Sequence, residues 1–349
     1  MVKRLLSIAL ALALALSLAL PAFAADSGYA DVPEEHWAAD SVRRAAELGL
    51  FQGVGGGLFG RGQPITRAAF VTALGRLFRW EPVLPDKPSY TDVVPGQWYY
   101  SAVETARANG AFVTTDSAFH PDRHVTREEM AVMLIRSLGY ASLAGAFSSY
   151  SSPFSDVVTN RGFITLAYDM GIVSGVGDGR FDPDSTATRE QAAAVMVRVY
   201  DRLYAQSQRL EDTAGYTALA VPTPAAREGQ ELPTTPLEPL SELYAALQKR
   251  KRDGTDMDTL VLCLTAGGVR TVVSGGKILE SVSVSAEEVE AALAQPGVRT
   301  YYSTRHESAY CIYRHAGYQT VTLWYQSGES MSAKLQLARL FGVTRYVLQ

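Results

Sequence analysis

Apolar positions in the first two thirds of the chain recur at helical spacing. Phe70, Ala73, Leu74 and Leu77 stand at i, i+3, i+4 and i+7; Met130, Met133, Leu134 and Leu138 nearly repeat that pattern, and Val195, Met196 and Val199 echo it. This period predicts one buried stripe on each of three helices. Upstream of each lies a shorter helical pattern that stops at an evenly spaced glycine, Gly49, Gly110 or Gly171. The position just past a helix end favours glycine because the backbone there turns left-handed. Ahead of each longer helix a threonine, Thr66, Thr126 or Thr188, is placed as N-cap. Glu129 and Gln191 stand three residues on and complete capping boxes, whereas Ala69 leaves the first copy without its reciprocal half.

The C-terminal third has a different rhythm. "DTLVLCLTAG", "VRTVVSGGKI", "TYYSTR", "AYCIYRHAG", "QTVTLWYQS" and "VTRYVLQ" are rich in aromatic and β-branched residues and read as strands. Ser285 with Glu288 starts a helix through "SAEEVEAALAQPG", and "SMSAKLQLARLFG" is a helix ending at Gly342. A short helix is expected over Leu240 to Lys251. Between the two parts, residues 204–239 include the proline-rich run "TALAVPTPAAREGQELPTTPLEP", read as an extended linker.

The N-terminal part repeats itself. "YADVPEEHWAADSVRRAAELGL", "YTDVVPGQWYYSAVETARANGA" and "FSDVVTNRGFITLAYDMGI" each give an aromatic, then Asp-Val (Asp31, Asp92, Asp156), then a helix closed by glycine. A loop with Phe59, Phe119 or Phe181 follows, then a Thr-Arg pair. Residues 29–85, 90–145 and 153–203 are the three copies. Trp37 and Trp98 open the first helix of copies one and two; copy three is shorter there and has no tryptophan.

The arginine beside each capping threonine, Arg67, Arg127 or Arg189, lacks an obvious local reason. A cation in the first turn opposes the helix dipole. Set beside free backbone N–H groups, its fork could receive a carboxylate; the plainer alternative is an internal ion pair, for example from Arg127 to a repeat aspartate. The aspartates are read equally as turn caps or groove residues. Trp37 and Trp98 are read first as core and second as sugar platforms.

Residues 1–24 carry Lys3 and Arg4, an apolar run from Leu5 to Leu20 and Ala22-Phe23-Ala24. That order of features is a secretory signal peptide, so export is expected, with no membrane span in the mature chain. A net charge of -4 and 19% charged residues give no sign of nucleic-acid binding. Cys263 and Cys311 are free to pair or to stay reduced.

The Asp-Val starts, helix-ending glycines, Phe-x-Pro (Phe119-Pro121, Phe181-Pro183) and Thr-Arg motifs, in three tandem copies, resemble the S-layer homology module over about half of the chain. The resemblance implies a mainly α, pseudo-threefold three-repeat helical bundle. Its grooves would bind the secondary polysaccharide of a Gram-positive-type cell wall, often pyruvylated, or a peptidoglycan-linked glycan. It places Arg67, Arg127, Arg189, Asp31, Asp92, Asp156, Trp37 and Trp98 as candidate polysaccharide-binding residues, with Thr66, Thr126 and Thr188 as helix caps. Arg127→Ala is expected to weaken binding more than Arg189→Ala, since copy three is the degenerate one.

"DGTDMDTL", Asp253 to Leu260, resembles the Asp-Gly-x-Asp-x-Asp-x-Glu motif of family 18 glycoside hydrolases, but Leu260 stands where the proton-donating glutamate belongs. The last strands and helix are also similar to the end of that family's barrel, although residues 253–349 are few for a (β/α)₈ barrel of about 250. Read from its residues alone, "DGTDMDTL" is an acidic turn, and 240–349 is a small α+β unit. The expected protein is thus a non-catalytic, wall-anchored surface protein with no cofactor and no metal. The rivals are a wall-anchored glycoside hydrolase and a structural surface-layer component.

Overall fold

A computed structural model describes residues 28–148, 152–230, 232–315 and 319–349. The expected signal peptide, residues 1–24, lies outside them. Each repeat is a pair of helices: α1 (Ala39–Glu47) with α2 (Arg67–Phe78), α3 (Tyr100–Ala108) with α4 (Arg127–Ser137), and α6 (Arg161–Asp169) with α7 (Arg189–Leu203); α5 (Ala141–Ala146) is inserted after the second pair. The threonine caps form as expected. Thr66, Thr126 and Thr188 accept from the N–H of Ala69, Glu129 and Gln191, and the last two are complete capping boxes. Gly49, Gly110 and Gly171 all take positive φ, and the N–H of Gly49 returns to Ala46 O, closing its helix.

The apolar stripes meet their counterparts across repeat boundaries. Helix α2 packs on α3, α4 on α6, and α7 on α1. Each long helix therefore lies against the first helix of the next repeat, and the third returns to the first, so burial of each stripe requires a neighbouring copy. Short bridges Pro64↔Thr188, Thr66↔His124 and Thr126↔Thr186 tie the segments before the long helices together.

The remainder is α8 (Leu240–Arg252), β3 (Leu260–Leu264), β4 (Gly268–Ser274), β5 (Lys277–Val284), α9 (Ala286–Leu293), β6 (Arg299–Ser303), β7 (Ser308–His315), β8 (Gln319–Tyr325), α10 (Gly328–Leu340) and β9 (Arg345–Leu348). Two expectations change here. The segment 204–239 contains two short strands, β1 (Gln208–Arg209) and β2 (Thr217–Ala220), which complete an all-parallel sheet of order β1-β9-β3-β2. Strands this brief show no period, and their partners are distant in sequence, so local reading sees only a linker. "VRTVVSGGKI" is a strand as expected up to Ser274, but it then turns into β5, with Gly275 and Gly276 both at positive φ as a tight two-residue turn requires. The hairpin extends an antiparallel sheet of order β5-β4-β8-β7-β6, covered on one face by Val289 and Ala292 of α9.

The C-terminal unit also shares a core with the repeats. Leu240, Leu243, Tyr244 and Leu247 of α8 and Leu337 of α10 belong to the same buried cluster as Phe70, Met130 and Met196. The whole is a mixed α/β protein rather than a bundle with a tethered domain. Cys263 in β3 and Cys311 in β7 are buried, unbonded and in different sheets. In "DGTDMDTL" the Asp256 carboxylate caps a single 3₁₀ turn, Met257–Thr259, and Leu260 is fully buried at the head of β3. That is an acidic turn leading into a core strand. No helix among the described residues is long and apolar enough to cross a membrane.

Candidate functional site

The Thr-Arg arginines do not turn outward. Arg67 Nε donates to Phe119 O at 3.0 Å, Arg127 Nε to Phe181 O at 2.9 Å, and Arg189 Nε to Phe59 O at 2.9 Å. Each guanidinium also lies over the ring of the same phenylalanine, at 4.8, 4.6 and 5.1 Å. The other side of that peptide is held by the Asp-Val aspartate. Asp31 accepts from the N–H of Phe59, Gly60 and Arg61, Asp92 from Phe119 and His120, and Asp156 from Phe181 and Asp182, all at 2.7–2.8 Å. Each buried phenylalanine is thus clamped by the aspartate of its own repeat and the arginine of the preceding one. The N–H of Phe181 holds the Asp156 carboxyl below its usual range, against a smaller desolvation effect.

This corrects the reading of the helix starts as open anion sites. The N–H groups of Arg67 and Ala68 already donate to Arg123 O and Pro121 O, those of Arg127 and Glu128 to Ser185 O and Pro183 O, and that of Arg189 to Gln63 O. The first N–H of each helix, and the second of α2 and α4, is satisfied by a carbonyl of the next repeat. The arginine follows them, placing its charge on carbonyl oxygens, which offsets its unfavourable place on the dipole. Asp31, Asp92 and Asp156 likewise cap the loops, each carboxylate oxygen accepting at least one backbone N–H.

Trp37 and Trp98 are corrected in the opposite direction. They are 60% and 66% exposed, so they are not core. Trp98 stands edge-on to Tyr99 at 5.3 Å, and Trp37 leans on His36 at 5.6 Å.

The three clamps differ in their second bond. Arg127 Nη2 donates to Ser174 O and Arg189 Nη2 to Gln52 O, both at 2.8 Å. Arg67 instead turns Nη1 to Glu129 Oε1 at 2.9 Å, and Glu129 also binds Arg123 and the N–H of Thr126. The cause is the loop. Copies one and three make tight bridged turns, Gly55↔Leu58 and Gly177↔Arg180. They begin at Gly53 and Gly175, where a Cβ would come within 2.7 Å of Leu58 O or Arg180 O. Copy two has Thr114 there and is one residue shorter before Phe119.

Beside that altered loop lies a groove of 420 Å³ between α4 and the start of α6, lined by Arg67, His120, Arg123, Glu128, Asn160 and Phe163 among others. Arg67 is 7% exposed, so its guanidinium forms the floor, while Arg123 and His120 are exposed at the rim. Thr159 and Asn160 of the third repeat bond the Glu128 carboxylate, closing one wall. Here the missing tryptophan of copy three finds its place: the stretch that starts its first helix is turned into a groove wall. Trp37 and Trp98 are not among the lining residues. His120, Arg123 and Asn160 were not singled out from sequence. Comparing copies position by position would have flagged Arg123, which stands where the others have Gln63 and Ser185. Among the described residues no group of three or more His, Cys, Asp or Glu is arranged to hold a metal ion.

The N-terminal part is therefore one helix-pair module used three times, with each copy completing the next. Residues 28–71, 89–131 and 153–193 match the S-layer homology domain, and the chain carries three of them. The chain is 26% identical over 204 residues to the S-layer protein sap of Bacillus anthracis, covering 58% of this chain and 25% of that protein. It is 41% identical over 115 residues to a cell surface protein of Thermoanaerobacter kivui, covering 31% of this chain and 15% of that one. The chain thus spans a quarter or less of the length of these relatives. The spore cortex-lytic enzyme SleL of Bacillus cereus superposes on 39% of this chain and 30% of its own at 14% identity, with a TM-score of 0.33, too little to argue from.

Proposed function

We propose that this chain is a cell-surface protein held non-covalently on a wall polysaccharide by its three S-layer homology repeats, which form a closed pseudo-threefold unit. The observation that carries the reading is the groove at the second repeat. It joins a buried arginine floor, a charged rim where His120 and Arg123 pair with Asp116 and Glu129, and hydrogen-bonding Asn160 and Thr114 in a cavity of sugar size. A carboxylate-bearing sugar such as a pyruvylated residue suits that floor, because Arg67 Nη2 has no protein partner among the described residues. The groove at copy two belongs to Arg67, not Arg127, since each arginine reaches forward into the next loop. The C-terminal unit is read as non-catalytic, because Leu260 is a buried strand residue where a proton donor would be required. An exported location on a Gram-positive-type wall follows from the same reading.

The test is co-sedimentation with purified walls. Arg123→Ser, which installs the residue of copy three, and His120→Ala lie on the rim and leave the Arg67 and Asp92 bonds to Phe119 in place. Each is expected to weaken binding several-fold, whereas Gln63→Ala at the equivalent place in copy one is not. Equal binding by all three variants and the parent would sink the groove assignment. A second reading, a structural surface-layer component, is favoured by the relatedness to the S-layer protein sap; it expects ordered two-dimensional assembly of the purified chain.

A further inference from the structure

Where the third repeat meets α8, four cations crowd a cleft that holds one carboxylate, Asp169. Arg198 of α7 and Lys251 and Arg252 of α8 line a cleft of 750 Å³ together with Tyr168 and Asp169, and Arg202 lies directly behind. The crowding is measurable at Gly171. A Cβ there would sit 3.1 Å from Arg202 Nη1 and 3.2 Å from Lys251 Nζ, so two cations converge on one point at the cleft wall. Like charges this close repel one another, and burial together with Arg202 lowers the pKa of Lys251.

The available anion does not balance them. Asp169 Oδ2 is taken by the Tyr244 hydroxyl and the Gln248 amide, both at 2.5 Å, and Arg252 approaches Oδ1 only to 3.9 Å. The fixed contacts of the other cations are single bonds to neutral carbonyls: Lys251 Nζ to Asp169 O at 2.6 Å, Arg198 Nη1 to Ile172 O at 3.2 Å, and Arg202 Nη1 to Leu340 O at 3.0 Å. Capping the carbonyls of Asp169, Ile172 and Leu340 explains one donor each on Lys251, Arg198 and Arg202. It leaves the remaining guanidinium donors and a net positive cleft without a counter-charge.

The geometry points to a second anion-binding site in this cleft, one that takes an acidic saccharide bearing a carboxylate or phosphate. Its ligand is drawn from the wall-binding reading of the repeats, but its residues are separate from the groove at Arg67. Because Arg198 comes from the repeats and Lys251 and Arg252 from α8, an occupied cleft bridges the repeat unit and the C-terminal unit. The exposed Tyr168 at its edge offers a face for the sugar ring.

Isothermal titration of the full chain with glucuronate, glucose 6-phosphate and glucose tests this. Either anion should bind and glucose should not, and the preferred anion separates a carboxylate from a phosphate source. Lys251→Ala/Arg252→Ala should lose at least about tenfold in affinity. Arg252→Ala alone, at a side chain 59% exposed, should keep the native melting curve and still weaken binding. Glucuronate held at the Arg67 groove is separated by repeating the titration in the Arg67→Lys background, where the dependence on Lys251 and Arg252 should persist. No binding of either anion, equal binding of glucose, or an unchanged affinity in both cleft variants overturns the site. If wall co-sedimentation still depends on the His120 and Arg123 rim in that event, the cleft assignment has failed and the anchoring reading has not.

Discussion

Arg127→Ala separates a clamp from a ligand contact. Its guanidinium donates to Phe181 O at 2.9 Å and Ser174 O at 2.8 Å and covers the Phe181 ring at 4.6 Å. Two charge-assisted hydrogen bonds contribute about 1.5–3 kcal/mol each, and a cation over an aromatic face about 1 kcal/mol. Burial of the guanidinium opposes this, pulling its pKa down, so the net loss should be roughly 2–4 kcal/mol. For a unit of this size about 2–4 °C is lost per kcal/mol, so thermal unfolding followed by circular dichroism should shift down by about 4–16 °C. Arg127→Lys keeps the charge but reaches one carbonyl, and should recover part of the loss. A melting point within about 2 °C of the parent, combined with lost wall binding, would refute the clamp and return Arg127 to the ligand.

Other outcomes follow from the same geometry. Thr126→Ala removes an N-cap and should cost about 1 kcal/mol in denaturant unfolding. Lys334, 0% exposed, pairs with Glu238 at 3.1 Å; Lys334→Met strands that carboxylate and should cost about 3–5 kcal/mol, with Lys334→Met/Glu238→Gln recovering part of it. The Asp156 carboxyl is held below its ordinary 3.8 by the N–H of Phe181, so its contribution is full above that value and fades as pH falls through the lowered one. Melting points measured from pH 6 down to about pH 2 should fall less steeply for Asp156→Asn than for the parent. Burial pushes the Cys311 thiol up to about 11, and neither cysteine is bonded, so a thiol reagent should react slowly with the native chain and fully once it is unfolded.

The helices of the repeats were legible because their signals are local. Caps at Thr126 and Thr188, stops at Gly49 and Gly110, and the stripes through Phe70 and Met130 each depend on residues within one or two turns. The site was less legible because it is assembled between copies. Arg67 finds Phe119 and Glu129 in the next repeat, and nothing near Thr66 records that reach. An arginine at a helix start opposes the dipole, and what offsets this lies in carbonyls more than fifty positions away. Trp37 and Trp98 are alike in this: their bulk fits a core, and only the packing shows that α1 and α3 bury other residues. In the C-terminal unit the antiparallel strands carry a visible aromatic and β-branched signature, while β1 and β2 exist only through β9 and β3.

Wall anchoring through the repeats is the central claim, and sedimentation with purified cell walls before and after extraction of the secondary polysaccharide tests it most directly. The chain should bind the intact walls and be lost to the supernatant once that polymer is removed. Binding that survives the extraction unchanged would contradict the claim.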